Sequence, residues 1–227
     1  MKSFIRIMAF TLAAAMLLPL AACDSGRGGG KVETVKIGIS LYRKDDTFVA
    51  SLCTCLERVA KQKETESGKK IVVNMVDGQS SQALQNDQVD SFISQNYDVI
   101  CVNMVDRTAA AVIVDKAKAA NIPVIFFNRE PVEEDIRLWE RAYYVGADAA
   151  QSGRLQGEII AEAFQKDRAG IDKNGDGKIQ YVMLEGEQGH QDALLRTEYS
   201  IKAVTGAGIQ VEKLANDTAN WQRAQGS

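Results

Sequence analysis

Nine consecutive residues, Asp172-Lys173-Asn174-Gly175-Asp176-Gly177-Lys178-Ile179-Gln180, follow the first nine positions of a helix-loop calcium site. In such a loop, oxygen side chains at positions one, three and five converge on one cation. A glycine at six permits the sharp turn, and position seven lends its backbone carbonyl. Asp172, Asn174 and Asp176 fill the side-chain positions, Lys178 stands at the carbonyl position and Gln180 adds an amide oxygen at nine. Position twelve is Met183, where a bidentate glutamate would be needed. Any further carboxylate must come from elsewhere in the fold, and the competing reading is a Gly-rich acidic turn between a helix and a strand.

The chain has a single histidine, His190, which excludes sites built on several histidines. It stands in Gly189-His190-Gln191-Asp192-Ala193-Leu194-Leu195-Arg196, where Asp192 and Arg196, four apart, share a helix face. Two readings fit this cluster equally: an N-terminal cap with a surface ion pair, or planar donors and acceptors that grip sugar hydroxyls. Aromatic faces that stack on pyranose C–H edges would complete a sugar site, and Phe48 and Trp221 are candidates, although each alone reads as core. Trp139, in a charged stretch of helical pattern, reads as a surface anchor. No phosphate-binding loop of the GxxxxGK or GxGxxG type follows a strand, and no GxSxG elbow occurs, so nothing points to an enzyme.

From Thr34 onward short β-branched runs alternate with segments of helical period, the signature of a parallel α/β sheet. The pattern predicts strands at Val35–Leu41, Ile71–Val76, Val99–Asn103 and Val124–Phe127, with helices near Thr47–Gln62, Ser81–Gln95 and Thr108–Ala119. Beyond Ala142-Tyr143-Tyr144-Val145-Gly146 the pattern restarts: a helix near Ala149–Gln165, a strand Lys178–Leu184, a helix Asp192–Thr205 and a strand Ile209–Leu214. Asp217 to Trp221 then reads as the capped start of another helix. Ligands of open α/β sheets sit at the carboxyl ends of the strands. Asp45-Asp46-Thr47-Phe48, Asn128-Arg129-Glu130 and the stretch Glu185–Asp192 all occupy that position, so two lobes, residues 32–145 and 146–227, would face each other across a cleft.

The amino terminus supplies an address. Lys2 and Arg6 lead an apolar run from Ile7 to Leu20 that ends in Leu20-Ala21-Ala22-Cys23. That is a lipoprotein signal over residues 1–22, shorter than the ~20 apolar residues a membrane-spanning helix needs. Cys23 would carry the lipid, and residues 23–31 would form a polar tether. Removing residues 1–22 takes away two cations and moves the formal charge from −3 to −5. With no cluster of Lys and Arg, nucleic acid is an unsuitable partner. Cys53, Cys55 and Cys101 remain, and an odd count with CxC spacing suggests small buried hydrophobes, not disulfides or metal ligands.

Taken together, Tyr42–Phe48, Phe126–Pro131, Ala142–Gly146, the Asp172–Gln180 loop, Gly189–Thr197 and Asp217–Trp221 resemble the D-galactose/D-glucose-binding branch of the type I periplasmic solute-binding family of sugar ABC transporters. The resemblance implies two Rossmann-like lobes with parallel sheets. It also implies sugar contacts from Asp46, Asn128, His190, Asp192 and Arg196, with Phe48 and Trp221 sandwiching the pyranose. Calcium ligation by Asp172, Asn174, Asp176, the Lys178 carbonyl and Gln180 is implied in the same way, as are an ABC transporter permease and a chemoreceptor as partners. The family extends well past the position of Trp221. The sequence therefore reads as C-terminally truncated, with an incomplete second lobe and weak or absent sugar binding by residues 23–227 alone. Three other readings remain: the effector lobe of a sugar-responsive transcription regulator, which shares the fold but is disfavoured by the export signal where a helix-turn-helix would stand, a chemoreceptor ligand carrier with no transport partner, and a vestigial lipoprotein.

Overall fold

The computed structural model describes residues 32–226. The signal segment 1–22, Cys23 and the tether 23–31 lie outside the described residues. Among those described, no helix is long and apolar enough to cross a membrane.

Residues 33–227 group as one compact unit built on two sheets. The first has five parallel strands in the order β2-β1-β3-β4-β5: Thr34–Leu41, Lys70–Asp77, Val99–Val102, Val124–Phe127 and Ala142–Val145, numbered β1 to β5 along the chain. Helices α1 (Thr47–Ser67), α2 (Gln82–Ser94) and α3 (Ala110–Ala120) link the first four strands, and a short α4 (Glu133–Ile136) precedes the fifth. The core follows the apolar runs. Ile100, Val102, Val124 and Phe126 are buried with Val89, Phe92, Ile113 and Val114 of α2 and α3. Ile39, Leu41 and Val49 form a second cluster, and half-buried Cys53 of α1 packs against it. Local chemistry sets the helix ends: Asp46 caps α1 by accepting the Val49 N–H, and Gly68, at φ 68°, closes it in the left-handed conformation that glycine adopts without penalty.

The second sheet pairs β6 (Lys178–Glu185) with β7 (Gln210–Thr218) in parallel, with a register shift at Tyr181/Val182. Helix α5 (Ala149–Lys166), a short α6 (Arg168–Ile171) and α7 (Gln191–Gly206) accompany it, while Val182, Leu184 and Leu214 of its strands stay exposed. Ala161 and Phe164 of α5 meet Val204 of α7 and Ile209, with Ile179 and Val211 of the strands packed beneath. Two glycines on one face of α5 let the helices touch backbone to backbone. A Cβ on Gly153 would stand 2.9 Å from the Arg196 carbonyl oxygen, and one on Gly157 only 2.2 Å from that of Ser200. This contact fixes the height of Arg196 relative to α5.

The described strands and helices fall where the periodicity puts them, with four differences. Ala142–Val145 is a fifth strand, pairing Val124 to Ala142 through Phe127 to Val145, where the sequence suggested only a boundary. Trp139 lies beyond α4, half-buried against the first-sheet core, and is not an anchor on a surface helix. Asp217 and Thr218 do not start a helix: pairing with β6 runs on to Glu185↔Thr218 and holds both in β7, leaving Trp221 in a turn at φ 58°. Cys53, Cys55 and Cys101 are free thiols, but Cys55 is exposed, because two residues further along α1 the helix has turned away from the sheet.

Candidate functional site

Three strand ends and one turn supply the walls of a cavity of about 780 Å³, and every residue singled out for sugar contact lines it: Asp46, Phe48, Asn128, His190, Asp192, Arg196 and Trp221. Asp46 and Phe48 follow β1, Asn128 follows β4, the His190 cluster follows β6, and Trp221 follows β7. These residues stand at the carboxyl ends of their strands, between the two sheets, and from there the cavity extends over the apolar residues Leu52, Leu56, Cys101, Ile125 and Val145 of α1 and the first sheet.

Each polar group is held by a neighbour that leaves part of it available. Asp46, although buried, accepts the Tyr42 O–H at 2.6 Å on Oδ2 and the Val49 N–H at 2.9 Å on Oδ1. Burial alone would raise its carboxyl, but the Tyr42 hydrogen bond and the Val49 and Phe48 amides outweigh that and hold it below the ordinary carboxylate value. Burial and the same bond to Asp46 push the Tyr42 phenol up to about 12, so it remains a donor. Fully buried Asn103 donates to Asn128 Oδ1 at 3.0 Å and to the Phe127 carbonyl at 3.1 Å. The Asn128 amide hydrogens are thereby left for a ligand. Tyr144 fastens the Asn128 carbonyl at 3.1 Å, and the Asn128 backbone sits at φ 64°, a left-handed conformation that asparagine tolerates.

On the opposite wall, His190 is the N-cap of α7: its Nδ1 accepts the Asp192 N–H at 3.1 Å. Burial, then the Arg129 charge, lowers its pKa below the ordinary 6.5, so the ring is neutral at pH 7 and carries its proton on Nε2. Asp192, also buried, takes Arg196 Nη2 at 2.7 Å on Oδ2. Arg196 Nε is buried without a hydrogen-bond partner among the described residues. The cavity thus presents two carboxylates as acceptors and an amide, an imidazole N–H and a guanidinium as donors, the mixture that polyol hydroxyls require. The two readings of the Gly189–Arg196 cluster turn out to coexist. His190 caps the helix and Asp192 pairs with Arg196, yet both acids and bases border the cavity.

The aromatic candidates are not core residues. Phe48 is 56% exposed and Trp221 41% exposed. The Trp221 indole rests against the bare Cα of Gly186 and meets the His190 ring edge-on, with centroids 5.4 Å apart. Tyr42 and Arg129 also line the cavity; neither was among the predicted sugar contacts, although Arg129 was placed at a strand end facing the cleft. Both stand just past strand ends, and inspection of every residue at those ends would have found them.

The calcium-type loop lies apart from this cavity, since none of its residues lines it. Gly175 and Gly177 adopt φ 73° and 82°, which folds the loop back on itself. Asp172 accepts the Asp176 and Gly177 N–H groups at 3.1 and 2.8 Å, and Asp176 takes the side-chain amides of Asn174 and Gln180 at 3.1 and 2.7 Å. The oxygen-bearing side chains are therefore already gathered. Their chemistry fits a hard cation, with up to five donors where calcium takes six to eight. Among the described residues, no group of three or more His, Cys, Asp or Glu side chains is placed to complete such a site.

Residues 37–227 match the periplasmic binding protein domain family. The chain is 42% identical over 189 residues to the D-galactose/methyl-galactoside binding periplasmic protein MglB of Haemophilus influenzae, covering 83% of this chain and 55% of that protein. It is 28% identical over 218 residues to the xylitol-binding protein of Mycolicibacterium smegmatis, covering 96% of this chain and 56% of that one. A solved ABC transporter solute-binding protein from Bacillus halodurans with bound myo-inositol superposes with a TM-score of 0.67 at 28% identity, over 87% of this chain and 61% of the other. The chain spans about half the length of the curated relatives it matches.

Proposed function

This chain belongs to the periplasmic binding protein family, and we propose that within it the protein captures D-galactose or D-glucose and delivers it to the permease of an ABC transporter. It works as a receptor and carries out no chemistry on the sugar. The observation that carries this reading is the convergence of seven residues from four distant stretches on one cavity between the two sheets. The identity to a galactoside-binding relative supports the same substrate class. Asp46 and Asn128 would serve hydroxyls from the first-sheet side, and His190, Asp192 and Arg196 from the second. Phe48 and Trp221 would stack on the apolar C–H edges of the pyranose. Because donors and acceptors come from both sheets, sugar stabilises the form in which the sheets approach, and closure signals occupancy to the permease or to a chemoreceptor.

Two accessory features complete the proposal. Calcium held by Asp172, Asn174, Asp176, the Lys178 carbonyl and Gln180 would brace the β6–β7 half without touching sugar. A lipid on Cys23 would tether the mature protein to the membrane of the cell envelope, with the polar stretch 23–31 as the leash. The test is calorimetric titration, with D-galactose, D-glucose and D-ribose, of the protein as its gene encodes it. The expected result is tight binding of one or both hexoses and at least 100-fold weaker binding of ribose. Absence of hexose binding, or ribose as the best ligand, would overturn the assignment.

A further inference from the structure

At one end of the cavity, Arg129 of its lining belongs to a set of side chains that ties the two sheets together. Arg129, at the end of β4 and 7% exposed, forms a two-point ion pair with Glu187 in the loop after β6: Nη1 reaches Oε1 at 3.1 Å, and Nη2 contacts Oε2. Nη1 also reaches the Val105 carbonyl at 3.3 Å, and the guanidinium lies 3.7 Å from the centroid of the Tyr42 ring. Tyr42 in turn orients Asp46 through the 2.6 Å hydrogen bond. Next to this pair, Gln191 Nε2 donates to Glu130 Oε2, and Arg107 Nε fixes the Glu130 carbonyl at 2.9 Å. Residues 129 and 130 thus hold residues 187 and 191 across the junction, and both links border a small cavity of about 250 Å³.

We propose that the Arg129–Glu187 pair, seconded by Glu130–Gln191, is a clasp that closes the two halves on each other without sugar. A planar guanidinium stacked on an aromatic ring and engaged at two points by a carboxylate is the strong form of an ion pair. Burial of the arginine shields it from the screening that makes exposed pairs weak. Such a clasp sets how often the binding-competent form exists before ligand arrives, and apparent affinity scales with that fraction. Removing the Glu187 charge is expected to lower the closed-to-open ratio of the ligand-free protein about tenfold.

The experiment uses the protein as its gene encodes it, with no sugar present. Spin labels on unnatural amino acids at exposed Lys61 of α1 and Ala163 of α5 report the distance between the halves by pulsed electron resonance. The unmodified pair should give a short-distance population that Glu187→Gln and Arg129→Met deplete. High salt should leave that population largely in place, and the exchanged pair R129E/E187R should restore part of it. Glu187 is one-third exposed, so Glu187→Gln should fold normally, and its melting curve is recorded alongside. Identical distance distributions for the unmodified, Glu187→Gln and Arg129→Met proteins would overturn the clasp. The proposal concerns the same cleft as the hexose reading, but without sugar in the tube the two fail separately: failure of hexose to bind counts against that reading alone.

Discussion

Replacing Gly186 with alanine should separate sugar affinity from stability. A Cβ at this position would lie 2.1 Å from Trp221 Cη2, 2.2 Å from Cζ2 and 2.6 Å from Cζ3, whereas ordinary contact begins near 3.4 Å. The indole must therefore retreat by roughly 1 Å or more. The three atoms nearest that Cβ all belong to the indole, and the backbone is not strained by a side chain, since Gly186 has no positive φ. Trp221 is also 41% exposed, so its ring can swing outward at little cost to the fold. The retreat breaks the edge-on contact with His190 and removes one face offered to the pyranose. An aromatic contact is worth about 1 kcal/mol beyond buried area, which corresponds to roughly fivefold in Kd. Calorimetric titration with galactose, paired with a thermal melt, should show affinity down about fivefold and a melting temperature within about 1 °C of the parent. Unchanged affinity would refute the role given to Trp221. An equal loss in Trp221→Ala and in the double variant would support it, because both changes act through one ring.

Three further outcomes follow from the same geometry. Gly157→Ala places a Cβ 2.2 Å from the Ser200 carbonyl oxygen. Its overpacking cost of ~1–3 kcal/mol should outweigh the ~1 kcal/mol gain in helix propensity and lower the melting temperature by a few degrees, whereas a rise would mean that α5 and α7 are not in close contact. His190 titrates below its ordinary 6.5 in the folded chain, so as pH falls the unfolded chain takes the proton first. Stability in urea should decline from about pH 6.5 downward and level off once the folded-state histidine has also titrated; in His190→Gln that part of the decline should vanish, and an unchanged pH profile would contradict the buried neutral ring. If calcium braces the second sheet, a chelator should lower the melting temperature of the whole encoded protein, and Asp176→Ala should abolish the difference between calcium and chelator.

Much of the fold was legible because short continuous apolar runs such as Val99-Ile100-Cys101-Val102 suit strands of a parallel sheet, although only the Ile100 and Val102 face is fully buried and Cys101 lines the cavity. The helices between them carried their own caps in Asp46, Ser81 and Asp148. What escaped was decided by tertiary pairing. Ala142-Tyr143-Tyr144-Val145 has no alternation that marks a strand, and it becomes one because the edge of β4 is open to it. Asp217 and Thr218 look like a helix cap locally, but the ladder with β6 captures them. The seven contact residues were visible through their types and their places after strands. Tyr42 and Arg129 share such places, but their part is to hold other side chains, and a sequence does not display which residue a guanidinium stacks upon.

Whether a hexose lies between the sheets is decided by a crystal structure of the protein grown with D-galactose. A pyranose is expected in the cavity with hydroxyls on Asp46, Asn128, His190, Asp192 and Arg196 and its ring bounded by Phe48 and Trp221. A galactose bound elsewhere, or density in the cavity that no pyranose fits, would contradict the hexose reading.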